Sequence, residues 1–168
     1  MLDELNNAFC AYKVCQINDK NIDDVYKLCS YNDFYYECLQ EQVSMSGVEN
    51  IINELPPDCE SKNKLFLGIY KGAQLVAILD LIAGYPNKET AFIGLFMVDR
   101  SLQSSGIGSG IINKLIEFLK SNGYKCCRLG VIEKNVPAIN FWNKMGFEFT
   151  GEKYNHVKYN VLMMEKRF

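Results

Sequence analysis

The chain has 168 residues, of which 48% are apolar and 23% charged, and its formal net charge is −2. This length suits one domain, for which ~100–200 residues is the usual span, and the composition excludes collagen-like, coiled-coil and disordered classes. The near-balanced charge leaves no basic excess to neutralise a phosphate backbone, so nucleic acid is not an expected partner.

Seven cysteines are scattered along the chain, with no C-x-x-C pair, and there is one histidine, His156. A Cys/His metal site is therefore not expected, and free thiols suit a reducing cytoplasm. The first residues, Met1, Leu2, Asp3, Glu4 and Leu5, are acidic and lack a long apolar run, so no signal peptide is expected. The longest apolar stretch, residues 91–98, is too short for a membrane helix, which needs ~20 residues.

Residues 12–17 read as a first strand. Ile22, Val25, Tyr26, Leu28 and Cys29 recur at helical spacing, so a helix is expected over 22–31. A second helical zone covers 33–55, with a break expected near Gly47 and a firm stop at Pro56 and Pro57. Residues 65–70 and 74–83 read as a hairpin around Gly72, and 89–98 as a third, central strand. A glycine-rich loop follows. It leads into a helix with Ile111, Ile112, Leu115, Ile116 and Leu119 as its apolar stripe, ended by Asn122 and Gly123. Residues 126–132 read as a strand, 137–145 as a helix, and 147–154 with 157–165 as a closing antiparallel pair. The fold class is α/β: a single domain over 1–168, with a mixed central sheet of about six to seven strands flanked by about four helices. The strand–helix–strand of 89–132 should be parallel.

Gly106, Gly108 and Gly110 stand at alternate positions between a strand and a helix. A helix N-terminus offers unpaired N–H groups and a partial positive charge. Glycine lets an anion approach the backbone. Gln103, Ser104, Ser105 and Ser109 add side-chain donors. Position 111 is Ile, so neither the Walker A spacing nor the dinucleotide G-x-G-x-x-G spacing is met. A helix start that is rich in Gly and Ser for packing alone stays open.

Gln103, Gly106 and Gly108 resemble the [QR]-x-x-G-x-[GA] signature of the GNAT superfamily of acyl-CoA-dependent N-acyltransferases. Asn135, Ala138, Phe141, Trp142, Gly146 and Phe147 resemble its second motif, N-x-x-A-x-x-F-[YW]-x-x-x-G-F. The resemblance covers roughly residues 65–165. It implies acetyl-CoA as co-substrate, no metal, and transfer of the acetyl group to a primary amine by direct attack in a ternary complex. It also implies a donor site made of Phe96, Met97, Val98, Gln103, Ser104, Ser105, Gly106, Ile107, Gly108, Ser109, Asn135, Asn140, Phe141 and Lys144. Amides of 103–108 would take the pyrophosphate, and strand 126–132 would splay from 96–98 to admit the pantetheine arm. Asn135 has a second reading as a helix cap, and Phe141 as plain core.

The catalytic groups are less legible. Relatives often carry a tyrosine where this chain has Trp142, whose indole is a donor but no useful acid. The position matching a strand carboxylate is Phe92. Glu89, Asp80 and Tyr154 are the candidates in their place, with Tyr159 and His156 beside them. Asp80 interrupts an apolar strand, so it is paired, at an edge, or functional. By the same resemblance, residues 22–55 and the loop 84–88 form the acceptor wall. Its aromatics are Tyr31, Phe34, Tyr35, Tyr36 and Tyr85, and its acids Asp33, Glu37 and Glu41. The expected acceptor is a small-molecule amine. A protein or peptide amine, a non-catalytic CoA-binding or regulatory module, and a homodimer all stay open.

Overall fold

The computed structural model describes residues 1–168. Seven strands form one sheet: β1 (Lys13–Gln16), β2 (Lys64–Lys71), β3 (Gln74–Ala83), β4 (Thr90–Val98), β5 (Cys126–Ile132), β6 (Glu148–Asn155) and β7 (Asn160–Arg167). Their order is β1-β2-β3-β4-β5-β7-β6. Only the β4/β5 pair is parallel, as the helical connection between them requires.

Six helices cover the sheet: α1 (Leu2–Ala8), α2 (Ile22–Ser30), α3 (Asp33–Leu39), α4 (Met45–Asn53), α5 (Ile107–Ser121) and α6 (Val136–Lys144). The count exceeds the four expected for two reasons. Leu2, Leu5 and Phe9 fall on one face and anchor a short N-terminal helix, whose first turn carries Asp3 and Glu4 where the helix dipole favours them. The zone 33–55 divides at Gln40, which takes a left-handed conformation (φ 56°) that ends α3. Gly47 lies inside α4, one turn after its cap Ser44, so the expected break falls earlier than Gly47.

Strand alternation sorts the core into two layers. Leu79, Leu81, Leu129 and Met164 pack beneath α1, α5 and α6. Phe66, Ile78, Leu95 and Met97 pack beneath α2, α3 and α4. Each fully buried aliphatic chain contributes ~1.5–3 kcal/mol by leaving water.

The site depends on an irregularity in β4. Asp80 pairs with Leu95 but Leu81 with Ile93, so Gly94 is an extra residue. This β-bulge inverts the strand's alternation. Ala91 and Ile93 face the α5 layer, whereas Leu95 and Met97 face the α2–α4 layer. Pairing with β5 runs only from Thr90↔Cys126 to Ile93↔Leu129. Beyond it, β5 continues against β7 alone. Residues 94–98 and 130–132 therefore border an open wedge.

The edge strand β6 is exposed along most of its length and carries Glu148, Glu152 and Lys153. Its pairing with β7 is interrupted between Phe149 and Lys153, and charge with irregularity discourages edge-to-edge pairing.

Candidate active site

A cleft of about 550 Å³ passes through the wedge between β4 and β5. On the α6 side it is lined by Phe96, Asn135, Ala138 and Trp142. On the opposite side it opens into a chamber bounded by Tyr35, Leu39, Glu54, Tyr85, Phe92 and Tyr159.

Behind the α6 wall lies the glycine loop, whose Gly108 packs against Val98 and Phe141 and none of whose residues lines the cleft itself. Gly106 caps α5 with φ 89°, a conformation that disfavours L side chains, and a Cβ there would meet nothing within 4 Å. The amides of residues 104–109 donate to no acceptor within the protein, so an anion at this helix end meets a run of unspent N–H groups. Gly108 sits tightly, since a Cβ would stand 3.3 Å from Val98 and 3.4 Å from the Phe141 ring. Glycine is needed here to bring the loop against the wedge.

Gln103 is turned into the fold, which differs from its expected role as a side-chain donor to the ligand. Its Nε2 donates to Asn32 Oδ1 (2.7 Å) and Val98 O (3.2 Å). Asn32 is buried and donates to Leu28 O (2.9 Å) and Val98 O (3.3 Å). The pair ties the loop to the end of β4. The Ser105 hydroxyl is likewise spent on Leu102 O, while those of Ser104 and Ser109 have no partner in the chain.

Helix α6 presents Asn135, Ala138 and Trp142, spaced three and four residues apart, as one face to the cleft. Asn135 caps the helix through its Oδ1, which accepts from the Ala138 amide (3.1 Å). Capping and cleft lining thus coexist in one residue. Its Nδ2 has no partner. Trp142 is 6% exposed and packs against Phe96, Phe141 and Phe147, and its indole N–H has no hydrogen-bond partner. Neither nitrogen is sealed from solvent. Both are unspent donors in a wall that is otherwise apolar.

Other named positions are dispersed. Met97 points its side chain into the α2–α4 core, leaving only its backbone to the wedge. Asn140 and Lys144 are exposed on α6 and do not line the cleft. Of the acceptor-wall aromatics, Tyr35 and Tyr85 reach the cleft, Tyr36 is buried, and Tyr31 and Phe34 are exposed.

The three catalytic candidates are not brought together. Glu89 is exposed in the turn before β4 and does not line the cleft. Tyr154 stands at the rim, 55% exposed. Asp80 is buried beneath Gly94, where a Cβ would fall 2.3 Å from its Oδ2, and it is ion-paired with Lys64 at 3.0 Å. Burial raises the Asp80 pKa to about 6, outweighing the nearby Lys64 ammonium, and Glu54 adds to the rise.

Glu54 and Arg128 line the cleft although neither stands in a motif. Glu54 forms no ion pair, and it follows α4 at a position with no pattern to mark it. Arg128 pairs with Glu152 and approaches Glu165 (3.9 Å), and its Nε is buried without a hydrogen bond. Its strand parity, opposite Cys127 and Leu129 in the core, was the readable signal. The Tyr159 phenol is pushed above its ordinary pKa by burial, then by Glu41 and Glu54. His156 stacks on it with centroids 4.7 Å apart. The turn that carries both is held against the segment after α3 by Gln40 Nε2 to Lys158 O (2.6 Å) and by Lys158 to Glu41 (3.2 Å).

Residues 28–147 match the family model described as "Acetyltransferase (GNAT) family", and the chain belongs to that family. Among curated relatives, it is 33% identical over 93 residues to a spermine/spermidine N(1)-acetyltransferase of Bacillus subtilis, covering 51% of this chain and 60% of that one. Across several such relatives the matched region spans 30% to 60% of their lengths. Among solved structures, it is similar to an acetyltransferase from Thermus thermophilus (TM-score 0.77, 16% identity, covering 94% of this chain and 97% of that one). It is also similar to the PaiA N-acetyltransferase from Thermoplasma acidophilum in complex with coenzyme A (TM-score 0.63, 17% identity, covering 94% and 99%). No helix is long and apolar enough to cross a membrane, and no group of His, Cys, Asp or Glu is placed to hold a metal ion.

Proposed function

We propose that this chain is an acyl-CoA-dependent N-acetyltransferase that acetylates a primary amine of a small cationic molecule, of the polyamine type. One observation carries the reading: a helix end with unspent amides packs behind the wall of an open wedge in the sheet, and the cleft through that wedge reaches an aromatic chamber that holds an unpaired carboxylate, Glu54. Family membership supports the donor. The B. subtilis relative's activity, as its name gives it, supports the acceptor class.

The donor, when bound, supplies the acetyl group as a thioester. The amides of residues 104–109 hold its phosphates. The unspent donors on Asn135 and Trp142 meet the polar groups of its arm. The wedge-facing backbone of Gly94 and Leu95 is placed to stabilise charge on an attacked carbonyl. An ammonium group with an ordinary pKa of ~10.4 must lose its proton before it attacks, at about 4.6 kcal/mol at pH 7. The chamber offers the Glu54 carboxylate and the His156 imidazole as acceptors. The Tyr159 phenol, protonated at neutral pH as any tyrosine is, serves as hydrogen-bond donor to the departing sulfur.

The test is turnover of acetyl-CoA with spermidine, spermine, a neutral primary amine and a short peptide. Acetylation of the polyamines in preference to the neutral amine is expected. Turnover with the peptide alone overturns the acceptor assignment. Acetyl-CoA binding without turnover across the panel points instead to a non-catalytic CoA-binding module.

A further inference from the structure

Lys64 and Asp80 form a buried pair with an unusual attachment. Both side chains are 7% exposed. Lys64 opens β2 and Asp80 lies in the middle of β3, on the face covered by α2, α3 and α4. The Lys64 ammonium spends its three hydrogens on Asp80 Oδ2 (3.0 Å), Ile51 O (2.9 Å) and Glu54 O (2.6 Å). The last two are carbonyls at the C-terminal end of α4, which the helix itself leaves without partners. A cation at that end also meets the negative pole of the helix. On its other side, the Asp80 carboxylate occupies the space that a side chain at Gly94 would need. One ion pair therefore touches both the acceptor wall and the bulge that opens the wedge.

We propose that Lys64 and Asp80 are positioning residues for the acceptor amine: their pair pins the end of α4 to the sheet and so sets where Glu54 stands across the chamber from the bulge. This inference rests on the chamber being the amine site. It assigns Asp80 a role other than proton acceptor, consistent with its absence from the cleft lining. Asp80 Oδ1 is buried with no partner, so the carboxylate is held through Oδ2 alone. Lys64 from β2 and Glu54 from the end of α4 are the charged groups that face it, and β4 presents only Gly94 and Leu95 there. Protonation of Asp80 removes its charge from the pair. Since burial sets its pKa at about 6, the Asp80 carboxylate is ionised at pH 7.5 and mostly protonated at pH 5.

The experiment compares the full chain with Asp80→Asn and Lys64→Met, by amide hydrogen exchange and by steady-state kinetics with spermidine. At pH 7.5 Lys64→Met, which removes the bonds to Ile51 O and Glu54 O, should exchange faster than the natural chain over residues 48–58, with residues 103–121 unchanged. The spermidine KM of Asp80→Asn should rise about tenfold, with acetyl-CoA affinity held within twofold. The ratio of variant to natural KM should fall toward one at pH 5, and this ratio cancels the titration of the amine itself. Lys64→Arg, which keeps the charge, should recover most of the KM. Unchanged exchange over 48–58 overturns the pin. Faster exchange with an unaltered KM, or a KM ratio that is constant with pH, overturns the positioning role. If the natural chain binds acetyl-CoA but turns over no amine, the functional reading fails while the exchange result still decides the pin.

Discussion

Trp142 stands where an acid is often found in chains with this motif, and it cannot serve as one. Its indole N–H is nevertheless an unspent donor in a wall that is otherwise apolar. Trp142→Phe keeps the ring and removes the N–H. A single hydrogen bond to the donor's arm is worth ~0.5–1.5 kcal/mol, so acetyl-CoA affinity should fall about two- to tenfold by calorimetry, with kcat nearly unchanged. Trp142→Ala instead removes the centre of the Phe96, Phe141 and Phe147 cluster and should cost ~3–5 kcal/mol of stability, read by urea denaturation. Asn32 is a second informative residue. It joins Leu28, Val98 and Gln103 through three hydrogen bonds in a buried position. Asn32→Ala removes the donor to Leu28 O and one acceptor of the Gln103 amide, which keeps only Val98 O. It should destabilise the chain by ~1–3 kcal/mol and weaken acetyl-CoA binding by loosening the loop. Unaltered binding would show that the loop holds its shape without Asn32.

At the level of elements, the bulge in β4 decides the site. A flat β4 would pair with β5 along its whole length and leave no wedge. Gly94→Ala forces a Cβ to within 2.3 Å of Asp80 Oδ2, so either the carboxylate or the strand must move. The expected cost is ~1–3 kcal/mol, the range for overpacking a core, measurable as a lower urea midpoint. This element also marks the limit of sequence reading. The glycine loop and the α6 stripe were legible because each is a local pattern: Gln103, Gly106 and Gly108 on one turn, and Asn135, Ala138 and Trp142 on one helix face. The bulge was not, because an extra residue is defined only by what lies opposite it on β3. Nothing at Gly94 itself distinguishes a bulge from an ordinary strand glycine. Glu54 was invisible for a similar reason. It lies past the end of α4, where Lys64, distant in sequence, holds its carbonyl. Asp80, by contrast, announced itself as a charge in an apolar strand, and of the readings open to it, the paired one is what the structure contains.

For the molecule as a whole, the sheet separates two tasks. The α5–α6 face carries the unspent donors, and the α2–α4 face carries the acidic, aromatic chamber. The Lys64–Asp80 pair lies wholly on the second face, against the bulge, at a cost in stability. Because the folded pKa of Asp80 lies above its ordinary value, the folded chain binds the proton more tightly than the unfolded chain does. Its contribution is therefore fully present below about pH 4 and is lost as pH rises through about 6. Loss of hydration outweighs attraction to Lys64, as is common for buried pairs. The stability of the natural chain relative to Asp80→Asn should thus fall by about 2 kcal/mol between pH 4 and pH 7, at ~1.36 kcal/mol per unit. Urea denaturation of both at each pH checks the sign, and a difference that grows with pH contradicts it.

The most direct measurement is calorimetric titration of acetyl-CoA into the natural chain and into Gly106→Asp. A side chain at this position meets no protein atom within 4 Å, and aspartate is among the residues that tolerate a left-handed backbone. The variant should keep its circular dichroism spectrum while placing a negative charge at the unspent amides. Binding by the natural chain, with affinity reduced at least a hundredfold in the folded variant, is the expected result. Equal binding by both would remove the glycine loop from the donor site, and no binding by the natural chain would contradict the acetyltransferase reading itself.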